Sequence, residues 1–124
     1  MRAPSRLLFL AFLAFSCAHV DSSLQIDGRP YVADHCQSGE WSGFFGVVLS
    51  DSTGRRVRLD ADLQHVAVAA QGNGSWDSMG ICGGVHVYPQ HSKVIARNLE
   101  GSATLSCKSE QHTIVGQVAF KNCH

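Results

Sequence analysis

The chain has no excess of charge, no long apolar run and no helical rhythm. Ten basic residues balance ten acidic ones among 124 residues, and the basic ones gather in no patch, which argues against a nucleic-acid ligand. The apolar run Leu7 to Phe15 holds nine residues. At about 1.5 Å per helical residue it covers less than half of a ~30 Å hydrocarbon core, too little for a conventional transmembrane helix. No repeat, heptad or charge block is visible, and no segment keeps a 3.6-residue apolar period for long. The motifs that carry chemistry are missing as well. There is no GxSxG, no CxxC or HExxH, no EF-hand loop, and no strand-to-helix unit behind the glycines of Gly72-Asn73-Gly74. The expectation is therefore a protein that is not an enzyme and that uses no cofactor or metal.

What is present begins with the N-terminus. Met1 to Arg6 carries two positive charges and no acidic residue, and the apolar run follows at once. That is the layout of a signal peptide. Ala14-Phe15-Ser16 satisfies the small-x-small rule for cleavage before Cys17. Leu13-Ala14-Phe15-Ser16-Cys17 also resembles the lipobox of bacterial lipoproteins, in which the cysteine thiol is diacylated and becomes the new N-terminus. Five cysteines leave one without a partner in an oxidising compartment. Either lipidation of Cys17 or its loss with the leader leaves an even set: Cys36, Cys82, Cys107 and Cys123. The reading adopted is a signal peptide over 1–16, a lipidated Cys17 with a polar tether over 17–30, and a folded domain over 31–124. Losing Arg2 and Arg6 leaves eight basic against ten acidic residues, a net charge of −2.

The domain reads as strands. In residues 44–59 the triplet Ser52-Thr53-Gly54 suits a three-residue hairpin loop with glycine in the left-handed position. Leu49 then pairs with Val57 and Val47 with Leu59, so Phe45, Val47, Leu49, Val57 and Leu59 share one face. In residues 102–120 a Glu110-Gln111 tip puts Cys107 opposite Ile114 and Ala103 opposite Val118. One face carries Ala103, Leu105, Cys107, Ile114, Val118 and Phe120, and the other is mostly polar. Further strands are expected at 63–70, 81–88 and 93–97. The fold class is all-β: a small antiparallel sandwich or barrel-like domain of about seven strands with two disulfides. Trp41 stands only five residues after Cys36, too close for the Cys-Trp spacing of an immunoglobulin domain.

Extending the second hairpin's register sets Cys123 opposite Asn98. That is about 30 Å from Cys107 at ~3.3 Å per residue, and a disulfide needs Cα atoms within about 7 Å. Two connectivities survive, and Cys36–Cys123 with Cys82–Cys107 is preferred over Cys36–Cys107 with Cys82–Cys123. The segments Trp41-Ser42-Gly43-Phe44-Phe45-Gly46, Gly54-Arg55-Arg56-Val57-Arg58-Leu59, Cys82-Gly83, Glu100 to Cys107 and Gly116 to His124 together resemble small uncharacterised bacterial lipoproteins with an exported, four-cysteine, β-rich domain. The resemblance implies a diacylglyceryl group on Cys17 and a place in the cell envelope, and it carries no activity with it.

Candidate sites are few. Seven histidines are scattered, and none has a zinc spacing; His86 is the candidate if a site exists, since it shares an accessible strand face with Tyr88. Asp60-Ala61-Asp62 beside Arg56 and Arg58 reads as a solvated charged surface. The ten-residue loop 71–80 is the best contact surface, with Trp76 flanked by Asn73 and Asp77. Trp76 is either displayed there or folded back over one end of the sandwich. Trp41 is expected in the core. The functional expectation is a lipid-anchored envelope lipoprotein with a structural or binding role, its partners the membrane and an envelope protein or glycan. The alternative is a soluble secreted or periplasmic binding or inhibitor-like module, and behind it a small hydrolase or metal protein.

Overall fold

A computed structural model describes residues 18–70, 74–90 and 98–124. Along them run eleven strands and one 3₁₀ turn. The strands are β1 (His19–Ser22), β2 (Gln25–Ile26), β3 (Arg29–Pro30), β4 (His35–Ser38), β5 (Gly46–Ser50), β6 (Arg56–Asp60), β7 (His65–Ala69), β8 (Asp77–Ile81), β9 (Gly83–Pro89), β10 (Leu99–Lys108) and β11 (Thr113–Cys123), and the 3₁₀ turn covers Gly39–Ser42. Cys17 and the leader, Asn73, and the expected strand at 93–97 lie outside the described residues.

The strands make two antiparallel sheets. One has the order β3-β2-β11-β10-β9, with β1 also on β11, and the other is the meander β4-β5-β6-β7-β8. Alternation along each strand turns one face inward. Val47, Leu49, Val57, Leu59, Val66 and Val68 from the second sheet meet Val85, Ala103, Leu105, Ile114, Val118 and Phe120 from the first in a single buried core. The class is therefore as the alternation predicts, an all-β sandwich, although with more strands than seven.

Both predicted hairpins form in the expected register. Leu49 pairs with Val57 and Val47 with Leu59, while Cys107 pairs with Ile114 and Ala103 with Val118. The first closes on a bond from Asp51 N–H to the Arg55 carbonyl, 3.1 Å, with Gly54 at φ +91°. Few side chains tolerate that angle, which is why glycine stands there. The Asp51 carboxylate sits inside the loop, its Oδ1 accepting from the Thr53 and Arg55 amides at 3.0 and 2.9 Å and its Oδ2 from Arg55 Nε at 3.0 Å. Burial pushes this carboxyl up, but the bonds from Thr53 and Arg55 outweigh it and hold it below its ordinary value.

Two expectations are corrected here. The first concerns residues 17–30, read as a tether. From His19 onward they belong to the sheet: His19 pairs with Lys121 through to Ser22 with Val118, and Ile26 pairs with Ile114. Leu24 and Ile26 are buried in the core. The polar composition misled because only two apolar side chains are needed when a short strand caps an existing sheet.

The second is the end of β11. Phe120 faces Gly101 but Cys123 faces Leu99, so β11 carries one residue more than β10 and the pairing of Cys123 with Asn98 does not form. Asn122 takes up the excess at φ +60°, a bulge of the kind that re-aims a strand end. Gln90 secures it, donating to Asn122 Oδ1 at 2.7 Å and accepting from Asn122 N–H at 2.9 Å.

The disulfides lie where the two sheets meet. Cys82 stands at the corner where the chain leaves β8 for β9, and it bonds to Cys107 on β10. At the opposite seam Cys36 on β4 bonds to Cys123 at the end of β11. These are the two preferred pairings. Elsewhere a side chain does the same work. Gln64, at φ +57° in the turn after β6, accepts from the Val85 amide at 2.8 Å and donates to the Val85 carbonyl at 2.7 Å, so it pairs with the outer edge of β9 as a strand would.

Candidate functional site

The two tryptophans are the first side chains to place. Trp41 is not core: it rides on the 3₁₀ turn Gly39–Ser42 and is 76% exposed. The turn is stiff. Ser38 Oγ accepts from the Glu40 amide at 3.2 Å, Gly43 at φ +82° returns its N–H to the Glu40 carbonyl, and the Phe44 amide reaches the Gly39 carbonyl at 3.1 Å. Phe44 lies close under Gly39, and Arg58 covers its ring at 4.1 Å. Phe44, on the outer face with Arg58, packs against this turn at Gly39, and the tryptophan is left exposed.

Trp76 does the opposite. It is half-buried, with the Arg56 guanidinium 4.6 Å from its ring centroid, the folded-back arrangement rather than the displayed one. The loop ends sooner than expected, because Asp77 already belongs to β8 opposite Val68. The Asp77 carboxylate is engaged too, accepting from Ser109 Oγ at 2.6 Å. Of the contact surface expected around Trp76, the described residues thus leave a covered ring and a bonded carboxylate.

Asp60 also departs from its expected place. It is 5% exposed and accepts from the Leu63 amide at 3.0 Å, closing the turn into β7. Only Asp62 is exposed. The neighbouring arginines turn toward aromatic rings, Arg56 to Trp76 and Arg58 to Phe44, so the face is a cation–aromatic layer instead of a solvated mixture of charges.

Among the described residues two histidines lie within hydrogen-bond distance of carboxylates. His112 Nδ1 lies 2.8 Å from Asp27 Oδ2, and that hydrogen bond, helped by the Thr113 amide against partial burial, holds the Asp27 carboxyl below its ordinary value. Ser109 is close in sequence, but its hydroxyl is spent on Asp77 and on the amides of Gln111 and His112. Serine and histidine brace the β10–β11 hairpin rather than each other. His35 Nδ1 is 2.6 Å from Asp34 Oδ1 on the surface. His86 is exposed on β9, opposite Ser102 and on the same outer face as Tyr88. Among the described residues no three His, Cys, Asp or Glu side chains form a metal-holding group.

Two concavities lie at the end of the sandwich that holds the Cys36–Cys123 bond. A cleft of about 440 Å³ lined by Ala18, Asp34, His35, Cys36, Gln37, Ser50 and His124 adjoins one of about 550 Å³ lined by Gln37, Ser38, Glu40, Trp41 and His124. Gln37 and His124 belong to both, so the surface is continuous from Ala18 to Trp41. Sequence reasoning had no means of finding it, since its walls come from the start of the domain, its end, and β4 with the turn after it.

Fold and bonds define a class: a disulfide-stapled β-sandwich suited to an oxidising compartment outside the cytoplasm. Among the described residues no helix is long and apolar enough to cross a membrane. Comparison with protein-family models, curated proteins and solved structures finds no match.

Proposed function

We propose that this chain is a lipoprotein of the cell envelope, exported by its leader, cleaved before Cys17, acylated on that thiol, and serving there as a binding or structural domain without catalytic activity. One observation carries the reading. Cys36, Cys82, Cys107 and Cys123 pair among themselves, so Cys17 is the only one of five cysteines left for other chemistry. A free thiol would be a liability in an oxidising compartment, whereas a thioether to a diacylglyceryl group is inert and membrane-bound. The charged leader, its apolar run and the lipobox-like Leu13 to Cys17 support the same chemistry. The non-catalytic part rests on how the candidate groups are occupied: Ser109, Asp77, Asp27, Asp51 and Asp60 are all bound up in turns and hairpin closures. An envelope protein or glycan is the partner class for such a domain.

The test is the intact mass of native protein extracted from membranes with no reductant. Residues 17–124 plus a diacylglyceryl or triacyl group, less four hydrogens for two disulfides, is the expected result. A mass without acyl groups overturns the anchor and makes the protein a soluble secreted module.

A further inference from the structure

We infer that the end of the sandwich bearing Trp41 is a membrane-docking face, with the Trp41 ring seated among the lipid headgroups beside the acyl chains on Cys17. The inference rests on the lipid-anchor reading and adds to it an orientation and a contact residue.

The chain leaves no leash between anchor and domain. Ala18 packs against the core and β1 starts at His19, so the acylated residue is bonded directly to the folded body, one Cα–Cα step of about 3.8 Å away. Because a thioether-linked glycerol sits at the headgroup level, whatever surface surrounds Ala18 is held against the bilayer. Three connections bring Trp41 to that surface. β1 runs antiparallel to β11 with His19 opposite Lys121, which sets Ala18 beside the C-terminal end of β11. Cys123 at that end is bonded to Cys36. From Cys36 the chain runs through β4 straight into the turn that presents Trp41. The adjoining clefts described above, sharing Gln37 and His124, are the continuous surface these connections produce.

The side chain suits the place. An indole has an apolar body and one N–H donor, and it partitions to the boundary between headgroups and acyl chains. Here it is the most exposed of the large apolar side chains among the described residues, on a turn braced by the bonds at Ser38, Gly43 and Phe44. Asp34, Glu40, His35 and His124 line the two clefts, with no lysine or arginine among the lining residues, so attraction to anionic lipid is not what holds the face. Docking depends on acyl chains and ring, and added salt leaves it in place.

The experiment uses the full acylated protein in phosphatidylcholine vesicles with phosphatidylcholine brominated near the headgroup end of its chains. Trp76→Phe leaves Trp41 as the sole indole, and Trp41→Phe is the reciprocal control. Vesicle flotation and intact mass are recorded for each. Trp41 emission is expected to shift to the blue and to be quenched by the bromines, since an indole in the interfacial belt sits at that depth, while Trp76 emission is unchanged by them. If the acylated protein floats with the vesicles and Trp41 is quenched by aqueous iodide but not by brominated lipid, the docking face is wrong and the anchor stands. If the mass shows no acyl group, both fail together.

Discussion

Asp51 concentrates more hydrogen bonds than any neighbouring side chain in the first hairpin, and its environment is what lets a three-residue loop close. Removing it strands the Thr53 and Arg55 amides and the Arg55 guanidinium, so Asp51→Ala should lower stability by about 2–3 kcal/mol, read as a shift in the urea midpoint at unchanged slope. Its acid dependence follows from the lowered folded value. A carboxyl that ionises more readily when folded adds stability above its ordinary unfolded pKa, 3.8, and loses it as pH falls through the lower folded one. Asp27 behaves in the same sense through His112. Wild type should thus lose more stability between pH 5 and pH 3 than Asp51→Asn, measured by urea titration at each pH. A steeper loss in the variant contradicts the assignment. At this scale the sequence was least legible. It marked Gly54 for its backbone angle, but it put Trp41 in the core and left Trp76 between two arrangements, because what decides them is the bracing of the Gly39–Ser42 turn for one and Arg56 over the ring for the other, contacts no local spacing encodes.

The elements were more legible, and unevenly so. The two long hairpins are short-range objects: alternation fixes the face, the turn residues fix the register, and both came out in the expected pairing. The N-terminal strands are long-range objects whose partner β11 lies far along the chain, as His19 opposite Lys121 illustrates, and nothing within Asp21 to Asp27 reports that edge. Their integration is testable. Leu24 is 1% exposed, so Leu24→Ala should cost about 2–4 kcal/mol in urea denaturation. A tether residue would tolerate the same change within about 0.5 kcal/mol. The bulge at Asn122 was equally hidden, since an extra residue in one strand shows only once its partner is known.

For the whole molecule, the even set left beside Cys17 and the separation of Cys107 from Cys123 along the second hairpin narrowed the connectivity in advance, and the two bonds found are the ones that clamp the sheets at their seams. Their loops differ in length, 87 and 25 positions. In the chain-entropy model the longer is worth about 4.6 kcal/mol and the shorter about 3.5 kcal/mol. Replacing Cys36 and Cys123 together by serine should therefore destabilise the domain more than replacing Cys82 and Cys107, with urea midpoints in that order. The opposite order would mean that the corner between β8 and β9 strains apart without its bond. The longer bond also changes how the protein responds to proteolysis. It makes residues 36 to 123 a covalent ring, with the N-terminal strands attached as a tail. A protease that cuts once in the exposed turn at Leu63 opens the ring and frees nothing. The pieces separate only under reductant, and until then whatever holds residue 17 retains every strand of the domain.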